Sequence, residues 1–464
     1  MKERHVLRHT VTGIAALAIA SLALAGCSGS SDPNTSGDAG GDSATSGTTI
    51  DGTGKTLNVL VGANGLYPEE QKAWFQSVSD KFEEATGAKV AFETFASAND
   101  ELTKIQTSVL SGQGPDIYGL GTTFTPTAFS TGAFVTLGDA EWEKLGGRDK
   151  FVSSLLGISG PSESEEVGIP FASRPFVMAY NTELLAAAGI TEPPTTWDEL
   201  TADAKKLTGD GVYGLALGYA DGYDPWKFIW GMAEQAGNPI LDLKDKKATI
   251  DDPAVAAAYA TYFGWFTDGS VDPASIGWKN SNAVAAFADG KAAFLPMVSA
   301  SSKVALDASA VKDSYAYAVL PTVPPGQATR PADGVEAASI LSGDNWVVAN
   351  YSQNQDLAFE LIRILTEPEA QLEYFATFGE MPTTVAAAEQ VQKDNPTLAP
   401  LLDAAAKSVG TPFTGAWGDT QLALTNVVVQ ALPKLQSGGL SASDIDSAIA
   451  EANTAAQSSL DKAK

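Results

Sequence analysis

Hydrophobic residues after position 54 follow two different spacings in turn. The run Thr56–Gly62 is rich in β-forming residues and predicts a strand. In the next segment, Glu69–Ala85, the apolar residues Trp74, Val78 and Phe82 recur every four positions, which predicts an amphipathic helix. A strand followed by a helix of this length is the first half of a strand-helix-strand unit.

The alternation continues through two more strands. Lys89–Phe95 is strand-like, Asp100–Leu110 has helical spacing, and Pro115–Leu120 is a short apolar strand. Strands that alternate with helices favour a parallel sheet joined by right-handed crossovers. We therefore predict an α/β fold.

The middle and end of the chain contain more helix. Thr196 and Glu199 have the spacing of a capping box, and Asp252-Pro253 predicts another helix start. The further elements that the pattern predicts are helices at Ser281–Asp289, Gln355–Leu365 and Pro368–Phe378, and a strand at Tyr315–Leu320. From residue 55 onward there are about 410 residues, which is too many for one core and indicates two large domains.

The amino terminus is typical of an export signal. A basic start is followed by the uncharged, Ala-rich stretch Val11–Ala25, which is too short to cross a membrane comfortably. The stretch ends in Leu24-Ala25-Gly26-Cys27, which resembles the lipobox of bacterial lipoproteins. This resemblance implies that residues 1–26 are removed and that Cys27 carries the acyl chains. The alternative is an ordinary signal peptide followed by a cysteine that arose by chance.

Residues 27–54 have the composition of a tether. Ser28–Gly54 is rich in Gly, Ser, Thr and Asp and contains a single Ile and no aromatic residue, so it cannot bury enough apolar surface to fold. We expect this segment to be a flexible link between a lipid-anchored Cys27 and the folded part of the chain.

Composition excludes several classes of function. Both histidines, His5 and His9, lie in the export segment, and Cys27 is the only cysteine. The exported chain would therefore have no Ser-His-Asp or Cys-His catalysis, no zinc site of the usual Cys/His kind and no disulfide. We expect no cofactor and no bound metal.

The formal charge of −27 also limits the partners. Loss of residues 1–26 removes three basic residues and one acidic residue, which brings the charge to −29. Such a surface repels nucleic acid and has no attraction for anionic lipid.

Several segments, in order, are together similar to the carbohydrate-binding branch of the extracellular solute-binding proteins of ABC transporters. These segments are residues 81–87 (KFEEATG), 111–117 (SGQGPDI), 179–185 (AYNTELL), 194–200 (PTTWDEL), 285–294 (AAFADGKAAF), 320–322 (LPT) and 379–383 (GEMPT). Each is weak alone, but they follow the family order over most of the chain.

The resemblance implies a two-lobed, periplasmic-binding-protein-like (type II) α/β fold with a hinge and a ligand cleft between the lobes. Lobe one would contain residues 55–171 and 319–366, and lobe two residues 172–318 and 367–464. The protein would be a monomer that captures a di- or oligosaccharide and delivers it to the membrane subunits of an ABC permease.

A sugar site needs aromatic platforms together with amides, carboxylates or arginine as hydrogen-bond partners. Such groups are expected on loops at the ends of strands. The candidate ligand-binding residues are Asn64, Thr122, Thr123, Arg174, Tyr219, Asp221, Tyr223, Asp224, Trp226, Asp344, Asn345, Trp346, Trp417 and Asp419.

Several of these positions carry explicit alternatives. Asn64 either offers its amide to the ligand or belongs to a plain turn after the first strand. Arg174 either clamps ligand hydroxyls or an acidic group, or forms a salt bridge across the hinge. In the cluster at 219–226, Asp224 could instead cap a helix and Trp226 could lie in the core. Trp417, between Gly415 and Gly418, is expected to expose its indole as a platform for sugar, with a buried or interface role as the alternative.

Two other functions remain open from the sequence. An arginine in a closed cleft could bind an anionic sugar derivative or a glycerophosphodiester. Asp221 with Asp224 or Asp419 could serve as the acid pair of a glycosidase.

Overall fold

The strands and helices are defined by a computed structural model that describes residues 50–162 and 164–463. The strands are β1 (Thr56–Gly62), β2 (Lys89–Phe95), β3 (Ile117–Gly121), β4 (Ile169–Ser173), β5 (Val177–Asn181), β6 (Tyr213–Leu215), β7 (Leu241–Asp242), β8 (Lys247–Ala248), β9 (Ala292–Val298), β10 (Tyr315–Ala318), β11 (Ser339–Ile340), β12 (Gly343–Val348), β13 (Met381–Pro382) and β14 (Ser408–Val409). The α-helices are α1 (Pro68–Thr86), α2 (Ala98–Ser111), α3 (Thr125–Ser130), α4 (Asp139–Lys144), α5 (Thr182–Ala187), α6 (Trp197–Leu207), α7 (Pro225–Gln235), α8 (Pro253–Thr267), α9 (Asn280–Ala288), α10 (Ser301–Asp307), α11 (Gln355–Leu365), α12 (Pro368–Phe378), α13 (Val385–Asp394), α14 (Ala399–Ala406), α15 (Trp417–Gln436) and α16 (Ala442–Leu460). Short 3-10 helices lie at Thr122–Phe124, Arg148–Lys150, Ser153–Leu155, Pro273–Gly277 and Pro396–Leu398.

The first sheet has six strands in the order β13-β4-β12-β3-β1-β2. Strand β1 pairs in parallel with both β2 and β3, as the alternating pattern predicts. Strand β12 lies antiparallel between β3 and β4, and β13 is antiparallel to β4. We call this sheet and the helices packed on it lobe one.

The second sheet has four strands in the order β10-β5-β9-β6 and forms the centre of lobe two. Strand β9 is buried along its whole length, which agrees with its continuous apolar sequence AAFLPMV. Helices α6, α7, α8, α15 and α16 contribute to the large core on one face, and α9, α10 and α14 to the core on the other.

The chain passes from lobe one to lobe two over residues 174–176, between β4 and β5, and returns between β10 and β12. Strand β13 corrects one expectation, since residues 367–464 were assigned to lobe two. Met381 and Pro382 instead pair with Ser173 and Ala172 of β4, because the chain after α12 comes back to the edge of the first sheet.

Local signals explain where several helices begin and end. Gly87 ends α1 with a φ of 76°, a backbone conformation that glycine adopts without strain. Helix α6 begins with the predicted capping box, in which the Glu199 N–H donates to Thr196 Oγ1 at 3.0 Å and the Thr196 N–H donates to Glu199 Oε2 at 3.1 Å.

Candidate functional site

One basic and two acidic side chains lie together where the chain crosses from lobe one to lobe two. Arg174 follows β4, Asp344 lies on β12 and Glu380 precedes β13, so all three lie at the same end of adjacent strands. Arg174 Nη2 lies 2.5 Å from Asp344 Oδ2, and its Nε lies 2.9 Å from Glu380 Oε2. We call this group the hinge triad.

The hinge triad has two carboxylates around one guanidinium. Burial raises the pKa of Glu380, and Asp344 adds to that rise while Arg174 lowers the pKa. Since Nε, Nη1 and Nη2 of Arg174 all donate to these two carboxylates, the structure shows the salt-bridge alternative and not the predicted ligand clamp. The sequence could not decide between them because Glu380 lies 206 positions away along the chain.

Asp221 and Asp224 shape a loop. Asp221 Oδ1 accepts the N–H groups of Tyr223 and Asp224 at 2.8 and 3.1 Å, and its Oδ2 accepts the N–H of Asn280 at 3.0 Å. Asp224 accepts Lys227 Nζ at 2.7 Å and Asn280 Nδ2 at 2.5 Å.

Both carboxylates are therefore already occupied by the protein. Burial and the charge of Asp224 raise the pKa of Asp221, while the N–H groups of Asn280 and Tyr223 and the charge of Lys227 lower it. Asp224 is the N-cap residue of α7, but its carboxylate makes no capping hydrogen bond there. These contacts do not support the predicted ligand-binding or acid-pair role, because every carboxylate oxygen of Asp221 and Asp224 already accepts a hydrogen bond from the protein.

Trp417 is fully buried, so the prediction of an exposed indole is wrong. Its ring lies 5.7 Å from that of Trp226 at 71°, an edge-on contact in the core of lobe two. The flanking glycines allow close packing: a Cβ on Gly415 would lie 2.7 Å from Ser130 Oγ, and one on Gly418 would lie 2.8 Å from Thr127 Oγ1. They serve the contact with α3 and do not expose the ring.

Other predicted aromatic contacts also belong to the core. Tyr219 is fully buried and donates its hydroxyl to the Tyr262 carbonyl at 2.8 Å. Trp346 packs on Phe171 at 4.9 Å inside lobe one. Both rings are therefore part of the core of their own lobe.

The remaining polar candidates divide into structural and accessible groups. Asn64 Oδ1 accepts the N–H groups of Leu66 and Tyr67, both at 2.9 Å, which is the plain-turn alternative. Asn345 is buried and donates to Thr125 Oγ1 at 3.1 Å. Asp419 is exposed on α15 and accepts the Ser459 hydroxyl at 2.6 Å.

Thr122 and Thr123 remain half-buried and lie in the single turn after β3. The next residue, Phe124, packs with Leu102 of α2, Tyr223 of lobe two and Leu422 of α15. We call these four side chains the interlobe cluster. They place Thr122, Thr123 and Tyr223 at the boundary where the two lobes meet.

Glu101 has a buried carboxyl group beside the interlobe cluster, and it was not among the residues predicted from the sequence. It is 2% exposed, and its Oε1 has no hydrogen-bond partner among residues 50–162 and 164–463. Burial raises its pKa, the charge of Asp344 adds to this, and a hydrogen bond from the Gly121 backbone opposes it. In the sequence, Asp100-Glu101 at a helix start looks like an ordinary solvated acidic pair, so no local signal distinguished it.

Metal-binding clusters and membrane-spanning helices were both sought among the described residues. Within that part of the chain, no group of three or more His, Cys, Asp or Glu side chains is arranged to hold a metal ion. No helix there is both long enough and apolar enough to cross a membrane.

Comparison with known proteins gives matches of two kinds. Residues 77–400 match the family described as bacterial extracellular solute-binding protein. The diacetylchitobiose binding protein DasA of Streptomyces coelicolor is 30% identical over 355 residues, which cover 76% of this chain and 77% of that protein.

Solved structures share the fold at lower identity. The maltose-bound MalE3 of T. maritima is 20% identical with a TM-score of 0.71, covering 86% of this chain and 99% of that one. A Thermotoga lettingae ABC transporter solute-binding protein bound to alpha-D-tagatose is 21% identical with a TM-score of 0.72, covering 88% of this chain and all of that one. These matches confirm the predicted two-lobed α/β fold.

Proposed function

The chain belongs to the family of bacterial extracellular solute-binding proteins, and we propose that it captures a carbohydrate between its lobes and delivers it to an ABC permease for import. The observation that carries this proposal is the 30% identity with a diacetylchitobiose binding protein over 355 residues. A disaccharide or short oligosaccharide is therefore the ligand class that we propose.

The lobe boundary has groups suited to such a ligand. Tyr223 offers a ring, Thr122 and Thr123 offer hydroxyls, and Glu101 offers a carboxyl oxygen without a protein partner in the described chain. Sugars combine flat apolar faces with hydroxyl groups, so a ring and several polar groups at one boundary match their chemistry. We propose these four residues, with Asp344, as the ligand-contacting set.

Binding without turnover is part of the proposal. A glycosidase needs two carboxyl groups that are free to reach the scissile bond. The carboxylates of Asp221 and Asp224 are held by backbone N–H groups, Lys227 and Asn280, which favours a structural role.

An anionic ligand is the weaker alternative. It depended on Arg174, and in the hinge triad that guanidinium is shared by Asp344 and Glu380. A phosphate placed there would have to compete with two carboxylates that are already bound.

We further propose that the protein is a monomeric lipoprotein held on the outer face of the cell membrane by Cys27. Residues 1–26 and Cys27 lie outside the described residues, so this rests on the lipobox-like sequence Leu24-Ala25-Gly26-Cys27 and on the extracellular family. Two acyl chains are enough for stable anchoring. Residues 27–49 would then be the link to the folded lobes. The predicted tether extended to residue 54, but Ile50 packs on the core of lobe one and the Gly52 N–H donates to the Thr86 carbonyl at 2.7 Å, so the folded part begins earlier than predicted.

A thermal-shift screen tests the carbohydrate proposal. A ligand that binds only the folded protein raises the melting temperature with the logarithm of its excess over Kd. We expect at least one mono-, di- or trisaccharide to raise the melting temperature by several degrees. A shift with phosphodiesters and with no carbohydrate would refute the proposal.

A further inference from the structure

Three buried polar atoms near the lobe boundary have no hydrogen-bond partner within the described chain. They are Glu101 Oε1, Gln421 Oε1 and Trp417 Nε1, and the three residues are 2%, 3% and 0% exposed. Buried polar groups in folded proteins are almost always hydrogen-bonded, because an unmade bond costs the desolvation of the group. These two acceptors and one donor are left for water or a ligand to satisfy.

Glu101 and Gln421 lie on the two helices that meet at the interlobe cluster. Leu102 of α2 packs with Leu422 of α15, and each leucine follows directly after one of the unpaired residues, Glu101 and Gln421. Trp417 lies one helical turn before Gln421 on α15, so these two side chains share a face of that helix.

The charges around this boundary do not balance. The hinge triad has two carboxylates and one guanidinium, and Lys227 faces the two carboxylates of Asp221 and Asp224. The charge that acts on Glu101 is that of Asp344 in the hinge triad. Burial favours the neutral form of Glu101, so four carboxylates face two cations, and a ligand with a positive charge would be attracted and an anion repelled.

We propose that the ligand is an amino sugar with a free, protonated amine, and that Glu101 is the residue that selects it. This inference rests on the proposed carbohydrate-binding function and adds the substrate class. An ammonium group has three N–H donors and no acceptor, which complements the free oxygens of Glu101 and Gln421. An ammonium group beside Glu101 favours the ionised form of its carboxyl group, and a charge-assisted bond to that carboxylate is stronger than a bond between neutral groups.

Isothermal titration with three β-1,4-linked disaccharides tests the proposal. The probes are the disaccharide of two glucosamine units, its N-acetylated counterpart and the disaccharide of two glucose units, which differ only in the substituent at carbon 2. We expect the amine-bearing disaccharide to bind at least about tenfold more tightly than either neutral one, as a charge-assisted bond to a buried acid implies.

The variant Glu101→Gln should remove this preference while leaving the affinity for the neutral disaccharides within about threefold, since only the charge is lost. The matched control is Asp100→Asn, which removes one charge from the preceding residue, whose carboxylate accepts the Ala96 N–H. We expect the control to keep the preference for the amine.

The outcomes separate this inference from the proposed function. If a neutral disaccharide binds and the amine adds nothing, the amino-sugar inference is wrong and carbohydrate capture stands. If Glu101→Gln keeps the full preference, Glu101 does not select the amine. If none of the three binds and the wider carbohydrate screen is also negative, carbohydrate capture itself is contradicted.

Discussion

Glu234 is a carboxyl on α7 that is 7% exposed, and burial raises its pKa to about 7 from an ordinary value of 4.5. Between these two values the folded protein holds a proton that the unfolded chain releases. The free energy of unfolding must therefore fall as the pH rises from about 5 to 7, by at most about 3 kcal/mol.

The variant Glu234→Gln should remove that fall, because glutamine is neutral at every pH. We expect the difference in unfolding free energy between pH 5 and pH 7.5, measured by urea denaturation, to shrink relative to the unmodified protein. Glu84→Gln, on the exposed surface of α1, serves as the control and should leave the pH dependence unchanged. Equal pH dependence in the Glu234→Gln variant and the unmodified protein would show that Glu234 is not protonated in the fold.

At the residue scale, the sequence predicted hydrogen bonds between near neighbours more accurately than it predicted which side chains are buried. The capping box at Thr196 and the turn alternative at Asn64 depend on neighbours within four positions, and both are present. Trp417 and Glu101 depend on residues that are remote in the chain, such as Trp226 and Asp344. Their burial is a property of the assembled lobes and could not be read from their surroundings in sequence.

The hinge triad connects three chain segments at the element scale. Arg174 follows β4, Asp344 is on β12 and Glu380 precedes β13, so one guanidinium holds the ends of three adjacent strands. Removing one partner of a buried ion pair leaves an uncompensated charge, which costs about 3–5 kcal/mol. Since the Arg174 side chain is 25% exposed, we expect the low end of this range.

The variant Arg174→Met should therefore lower the unfolding free energy by about 3 kcal/mol in chemical denaturation, because Asp344 and Glu380 are left facing each other. Lys81→Met is the matched control: it breaks a 2.8 Å pair with Glu373 in which both side chains are more than half exposed. The control should change stability by about 0.5 kcal/mol. Similar losses in the two variants would show that the triad is only a surface ion pair.

The elements that the sequence predicted best are those whose pattern is complete within one segment. The bounds of β1 and β2 and the position of α1 agree with the apolar spacing. The two-residue strands β7, β8, β11, β13 and β14 are too short to produce a periodic pattern. Strand β13 illustrates the reason, since two residues join the first sheet only because β4 offers an open edge there.

At the scale of the whole molecule, the two lobes meet through both apolar and polar contacts. The interlobe cluster and the packing of α15 on α3 are among the apolar ones, and the Tyr67 hydroxyl donates to the Ser301 carbonyl at 2.5 Å across the boundary. Capture of a ligand between the lobes requires a hinge motion that opens and closes these contacts. The two-lobed fold was predicted from the order of family-like segments, whereas the residues that lie at the lobe boundary could be identified only from the structure.

Calorimetric titration of the purified protein with disaccharides, followed by chromatography of the recovered sugar, tests the central claim most directly. Capture between the lobes predicts saturable heat with one sugar bound per chain and recovery of that sugar intact. Recovery of cleaved sugar, or the absence of saturable heat with every carbohydrate tested, would contradict the account.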